Sequence, residues 1–301
     1  MRVVSLLPST TEILFAIGAG PDVVGVTFEC DHPPEARTRT IVSTSAMPEG
    51  LAPAEIDAFV AKAVAAGEDL YHLDEGALAG LDADLVVTQD LCAVCAVDVS
   101  VVGDALAHLG CTADVLTIDP YTLDEVFESF LTLGRATGRL DAATALAASQ
   151  RARLDAVRSR VAGLPRPRVM LLEWTDPPYA PGHWMPEMIE AAGGEPLLGT
   201  PGARSERVTW EAVRAARPDL VVAAPCGFDL AEATALADEL VASGVLPPGV
   251  PVHAVDANAA WARPGTRLVD GVEELAAVLH PVPRPERGPS RTYSRDPTPG
   301  A

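Results

Sequence analysis

Apolar residues along the chain fall into two kinds of run. Short, continuous, β-branched runs occupy residues 3–7, 23–26, 85–88, 115–118, 169–172, 220–223 and 252–255. They do not alternate with polar residues, which is the pattern of strands buried on both faces. Between them lie stretches with helical spacing, at 11–17, 53–66, 101–109, 187–192, 210–216 and 230–243. Strand–helix alternation of this kind predicts an α/β fold of doubly wound lobes with parallel sheets.

The middle of the chain differs, because no strand-like run occurs from 123 to 162. The pattern there predicts a helix to about residue 137, with Gly134 and Gly138 weakening its end, and then a second helix from Asp141 as N-cap to Val161. That second helix would be about 30 Å long at ~1.5 Å per residue. The flanking halves also resemble each other. GALAGLDADLVV at 76–87 parallels EAVRAARPDLVV at 211–222, and TEILFAIGAG at 11–20 parallels PEMIEAAGG at 186–194. Two pairs in the same order predict a duplicated architecture. The expected organisation is an N-terminal lobe over 1–121, a helical linker over 122–163 and a C-terminal lobe over 164–280. A single long rigid helix would join the lobes and leave a ligand cleft between them. The stretch 281–301 holds six prolines and too little apolar surface to offset ordering entropy, so a disordered tail is expected.

Charge narrows the partners. The 301 residues include 42 acidic and 22 basic side chains, a net charge of −20, and Lys62 is the one lysine. Such a surface repels phosphate backbones, so nucleic acid is excluded as a partner. No stretch approaches the ~18–20 apolar residues of a membrane span. The five cysteines are too few for a disulfide scaffold of this length. The opening MRVVSLLPSTTE lacks the apolar core and cleavage site of a secretory leader. As written, the chain is expected in the cytoplasm, or outside it if the true start lies upstream.

In parallel α/β sheets ligands collect beyond the carboxyl ends of the strands. Candidates are therefore Pro8, Ser9 and Thr10 after the first strand, Phe28 to His32 after the second, and Gln89 to Cys95 further on. The second half adds the stretches from Glu173 to Tyr179, His183-Trp184, Pro225 to Gly227 and Asn258 to Trp261. Trp174, Tyr179 and Trp184 crowd into eleven residues, and Trp261 lies in another loop. These rings either wall a large planar ligand or cover the edge of the second core. Cys92 and Cys95 read as buried thiols, as ligand or metal contacts, or as a redox pair. A metal would need further ligands from Cys30, His32 or His183. Ser9-Thr10 mark a helix start that either caps itself or offers its N–H groups to an anion. Walker A, GxGxxG, GxSxG and HExxH patterns are all absent.

With the two-lobe reading in place, SLLPSTTEILFAIGAGPDVVGV, CDHPPEA, LLEWTDPPYAPGHW, MIEAAGG, RVTWEAVRAARPDLVVAAPCG and AAWARPGTRLVDGVEELAAVL, in this order, carry a resemblance. Over roughly residues 2–280 the chain resembles the vitamin B12-binding proteins, the solute receptors of ABC importers. The resemblance implies a cobalamin-like corrinoid or similar metal chelate held between the lobes without catalysis, by a transport receptor or by a cytoplasmic corrinoid binder on the same frame, and the chain is expected to be a monomer. It places Pro8, Asp31, His32, Trp174, Tyr179, Trp210, Trp261 and Arg263 on the cleft. On this reading Trp174, Tyr179, Trp184 and Trp261 are expected to grip the ligand, with His32 or His183 as an axial contact. It also implies docking to an ABC permease through Glu190, whereas the first-lobe counterpart falls on Ser100, with Asp98 the nearest acid. Gln89 stands where the family carries an aromatic, the loop from Gln89 to Cys95 is longer, and residues 47–72 form an additional helical segment. Two other readings stay open: a metal- or thiol-dependent enzyme centred on Cys92 and Cys95, and an iron–siderophore or haem receptor of an ABC importer.

Overall fold

The computed structural model describes residues 1–68, 70–89, 102, 106 and 112–281. The first lobe is built on a six-stranded sheet in the order β4-β3-β2-β1-β5-β6. Its strands are β1 (Val3–Ser5), β2 (Val23–Thr27), β3 (Thr40–Ser45), β4 (Tyr71–Leu73), β5 (Leu85–Thr88) and β6 (Asp114–Thr117). The second lobe holds a four-stranded parallel sheet, β10-β7-β12-β13, formed by β7 (Arg168–Leu172), β10 (Glu195–Pro196), β12 (Leu220–Ala223) and β13 (Val252–Ala254). Every β-branched run read from the sequence overlaps a strand, to within a residue or two at its ends.

Two departures from all-parallel sheets appear. β4 runs antiparallel to β3 at the edge of the first sheet. In the second lobe, β8 (Trp174–Thr175) and β9 (Pro178–Ala180) form a hairpin extended by β11 (Glu206–Arg207), all antiparallel. Strands of two or three residues leave too short a pattern to read, and TIVSTS in β3 is half polar, so neither was legible.

Because strand side chains alternate between faces, each central strand feeds two cores. Val3, Leu85, Val87, Val169, Leu171, Leu220 and Val222 face one continuous core that both lobes share with the linking helices. Val4 and Val86 face an outer core of the first lobe, and Met170, Leu172 and Val221 face an outer core of the second. The lobes are thus welded through a common interior on one side.

The link is a helical hairpin. Helix Leu123–Ala136 packs against the 22-residue helix Leu140–Val161, with Gly134 so close to Ala143 that a Cβ there would lie 2.5 Å from the alanine methyl. Asp141 is not the cap: the second helix begins at Leu140 after Arg139, and Asp141 lies in the first turn, where its charge still suits the helix dipole. Glu187 of the second lobe accepts the Leu123 N–H at 2.6 Å, and Arg153 reaches Asp270 and Glu273 on the closing helix Leu268–Leu279. These contacts fix the hairpin to the second lobe.

The duplication extends to single atoms. Asp84 accepts the Arg2 N–H at 2.7 Å and Asp219 accepts the Arg168 N–H at 2.8 Å, each clamping the start of the neighbouring central strand. Two residues before each aspartate, Asp82 and Arg217 both take positive φ, at 42° and 49°. Removing either clamp, by Asp84→Ala or Asp219→Ala, should cost about 1 kcal/mol in chemical denaturation, the ordinary worth of one such bond.

Candidate functional site

The carboxyl edges of the two main sheets face each other across a seam, and the loops beyond them make the inter-lobe contacts. From the first lobe come Glu12 after β1, Glu29 and Asp31 after β2, and the helix Pro53–Ala66 after β3. The second lobe supplies Trp174 and Tyr179 after β7, and Arg263 and Arg267 after β13.

At the base of the seam sits a charged network. Arg267 donates to both oxygens of Glu12 at 2.5 and 3.0 Å, and Arg263 donates to Asp31 at 2.5 Å and to the Glu29 carbonyl at 3.3 Å. The Glu12 side chain is only 2% exposed, so its charge depends on Arg267. Burial lifts the Glu12 carboxyl above its ordinary range even with both arginines beside it. Glu29 is lifted for the same reason, although Tyr71 donates to it at 3.2 Å. Burial alone would raise Asp31 as well, but the hydrogen bond and charge of Arg263 outweigh it and hold that carboxyl low.

Each lobe also carries an aromatic pair on these loops. Phe28 and Tyr71 pair at 5.9 Å in the first lobe, and Trp174 meets Phe228 edge-on at 5.5 Å in the second. The helix Pro53–Ala66, the additional segment expected between 47 and 72, crosses to the second lobe. Its Pro53 carbonyl accepts the Trp174 indole N–H at 3.1 Å, and Asp57 accepts the Tyr179 hydroxyl at 3.0 Å. Ala63 of that helix is buried in the first lobe's outer core, with Phe59 and Val60 packed against the same core, and its other face reaches Trp174 and Tyr179.

Of the residues singled out from the sequence, Asp31, Trp174, Tyr179 and Arg263 meet at the seam, with exposed His32 next to Asp31. Others do not. Trp184 and Trp261 belong to the shared core, at 5% and 0% exposure, and the Trp184 indole N–H donates to the Trp261 carbonyl at 2.8 Å. They offer no face to a ligand in this conformation. Gly271 on the closing helix makes the space, since a Cβ there would stand 3.1 Å from the Trp261 indole. Trp210 opens the helix Trp210–Ala215 and packs on the second lobe's outer core. His183 lies at the linker, its ring against Tyr121 and Trp184, and burial lowers its pKa.

Pro8 is the first residue of the helix Pro8–Ala16, but neither Ser9 nor Thr10 caps it. The Thr10 and Thr11 hydroxyls turn back to Ser5 and to the Leu7 carbonyl, and Ser9 is buried under Gly265 of the second lobe. Gln89 directly follows β5 and is 5% exposed. Cys30 is buried against Thr11, and burial pushes its thiol up to about 12, which makes it a poor nucleophile. Cys92, Cys95, Asp98 and Ser100 lie outside the described residues. Among the described residues no three potential metal ligands cluster, and no helix is long and apolar enough to cross a membrane.

The sequence reading missed Glu12, Arg267, Asp57 and Phe228. A glutamate inside the apolar stretch TTEILFAI was the available signal, because a buried acid needs a partner.

Comparison with known proteins places this geometry. A cobalamin-binding protein of Halobacterium salinarum is 27% identical over 288 residues, covering 93% of this chain and 69% of that one. An ABC transporter substrate-binding lipoprotein of Bacillus subtilis is 26% identical over 311 residues, covering 93% and 80%. Among solved structures, the periplasmic vitamin B12 binding protein of Vibrio cholerae shares the fold at a TM-score of 0.62 and 21% identity, over 92% of this chain and 96% of that one. The periplasmic haem binding protein of the same organism does so at 0.69 and 16%, over 93% and 99%. Residues 3–246 match the family described as periplasmic binding protein, and the chain belongs to that family of solute receptors, which hold a ligand without transforming it.

Proposed function

We propose that this protein binds a cobalamin-type corrinoid in the seam between its lobes and delivers it to an ABC permease. The reading is carried by the contacts between loops that follow strands of both main sheets, Glu12 and Asp31 with Arg267 and Arg263, and Pro53 and Asp57 with Trp174 and Tyr179, on loops that also bear the ring pairs Phe28–Tyr71 and Trp174–Phe228. Flat apolar rings suit a wide macrocycle, and polar groups at the base orient it. The Halobacterium relative, matched along nearly the whole chain, supports the ligand class. A corrinoid reaching these rings displaces the helix Pro53–Ala66 from Trp174 and Tyr179.

Calorimetry with cyanocobalamin, read beside the visible spectrum, tests this. One ligand per chain is expected, and Trp174→Ala should weaken it about tenfold or more, as loss of a central aromatic anchor does. Absence of both heat and spectral change at high-micromolar ligand would contradict it, and uptake of haem instead would favour the haem-receptor reading.

Glu190 is exposed on the helix Met185–Ala191, where a permease could reach it. Glu190→Arg should leave corrinoid affinity intact and reduce permease-coupled uptake in reconstituted vesicles. This role puts the working protein outside the cytoplasmic membrane, as the Bacillus lipoprotein supports, and cell fractionation tests it.

A further inference from the structure

Both arginines that the second lobe sends into the seam are engaged before any ligand arrives. Arg267 is held two-pronged by Glu12, and Arg263 by Asp31 with Glu12 at 3.9 Å behind it. The Glu29 side chain adds a third acid, so three carboxyl groups share two guanidinium groups in the network of Glu12, Glu29, Asp31, Arg263 and Arg267. At the rim, burial and Asp57 raise the Tyr179 hydroxyl above its ordinary pKa, and the exposed Arg207 acts the other way with less effect. The chain's lysine, Lys62, is exposed on the helix Pro53–Ala66.

We propose that the seam selects by charge: it admits a neutral or cationic metal macrocycle and rejects one bearing several carboxylates or catecholates. This deepens the corrinoid reading and rests on the seam being the ligand gap. An anionic substituent entering there meets no uncommitted cation from this network. It must either displace Asp31 from Arg263, leaving a half-buried carboxylate unpaired, or approach Glu29 against like charge. A corrin rimmed with amides needs only hydrogen-bond partners, which the same carboxylates and carbonyls provide. Specificity arises from the repulsive element as much as from the aromatic wall.

The test compares dicyanocobinamide with dicyanocobyrinic acid, two corrins differing in side-chain amides against free carboxylates. Both are titrated into the full chain, and haemin and its dimethyl ester are run in parallel. The carboxylate-free member of each pair should bind at least about a hundredfold more tightly. Asp31→Asn frees Arg263 and should narrow that ratio at least about tenfold. Glu29→Gln, which keeps the Arg263 link, should narrow it in the same direction and serves if the first variant unfolds. Equal affinity within a pair, or a ratio unmoved by both folded variants, overturns the charge rule. Failure of the corrinoids alone overturns the corrinoid reading, and the haem pair still reads the rule. Binding of none of the four overturns both.

Discussion

Arg267→Ala is expected to destabilise the protein by about 3 kcal/mol, toward the lower end for a broken buried pair because water reaches the arginine. The variant leaves Glu12, 2% exposed, without its two-pronged partner beneath the other lobe. The loss should depend on pH with a definite sign. The Glu12 carboxyl already titrates above its unfolded value of 4.5, so its ionisation weakens the folded state as pH rises through the folded pKa. Removing Arg267 raises that pKa further. The difference between variant and native protein should therefore be small below pH 4.5 and grow toward neutrality. Urea denaturation at several pH values measures it, and a pH-independent difference would show that the arginine acts through packing alone.

Trp261→Ala should be the most damaging single truncation, at about 3–5 kcal/mol. Trp261 is fully buried in the core common to both lobes, and its carbonyl holds the Trp184 indole. Stability should fall while the aromatic wall at Trp174 stays in place. A variant that kept its stability but lost ligand affinity would return Trp261 to the cleft.

That tryptophan shows where sequence reading reaches its limit. Strands, helices and the duplicated halves were legible because burial on both faces imposes continuous apolar runs, and because Asp-Leu-Val-Val recurs in the same setting. The duplication even extends to the paired clamps at Asp84 and Asp219. Aromatics in strand-end loops read either as ligand walls or as cover for the second core; the loops of Trp174 and Tyr179 reach the seam, whereas Trp184 and Trp261 lie in the core. The loop carrying Trp261 folds back under the closing helix, where Gly271 leaves room for the indole, and a glycine inside DGVEEL was the trace of it. The seam's ion pairs join residues more than 230 positions apart, beyond the reach of any local pattern.

The two lobes are fastened twice, by the common core on the linker side and by ion pairs at the base of the seam. Such fastening fits modest closure around a ligand better than wide hinge opening, since the core would have to be torn for the lobes to part. The helix Pro53–Ala66 meets the second lobe through two polar contacts, to Trp174 and Tyr179, so a ligand entering there has to break only those bonds to part it from the second lobe.

A crystal structure of the protein grown with cyanocobalamin tests the account most directly. It should show the macrocycle in the seam, Trp174 and Phe228 on one side, Phe28 and Tyr71 on the other, with the Pro53 contact to Trp174 broken. A corrinoid bound elsewhere on the molecule, with the seam closed and that contact intact, would contradict it.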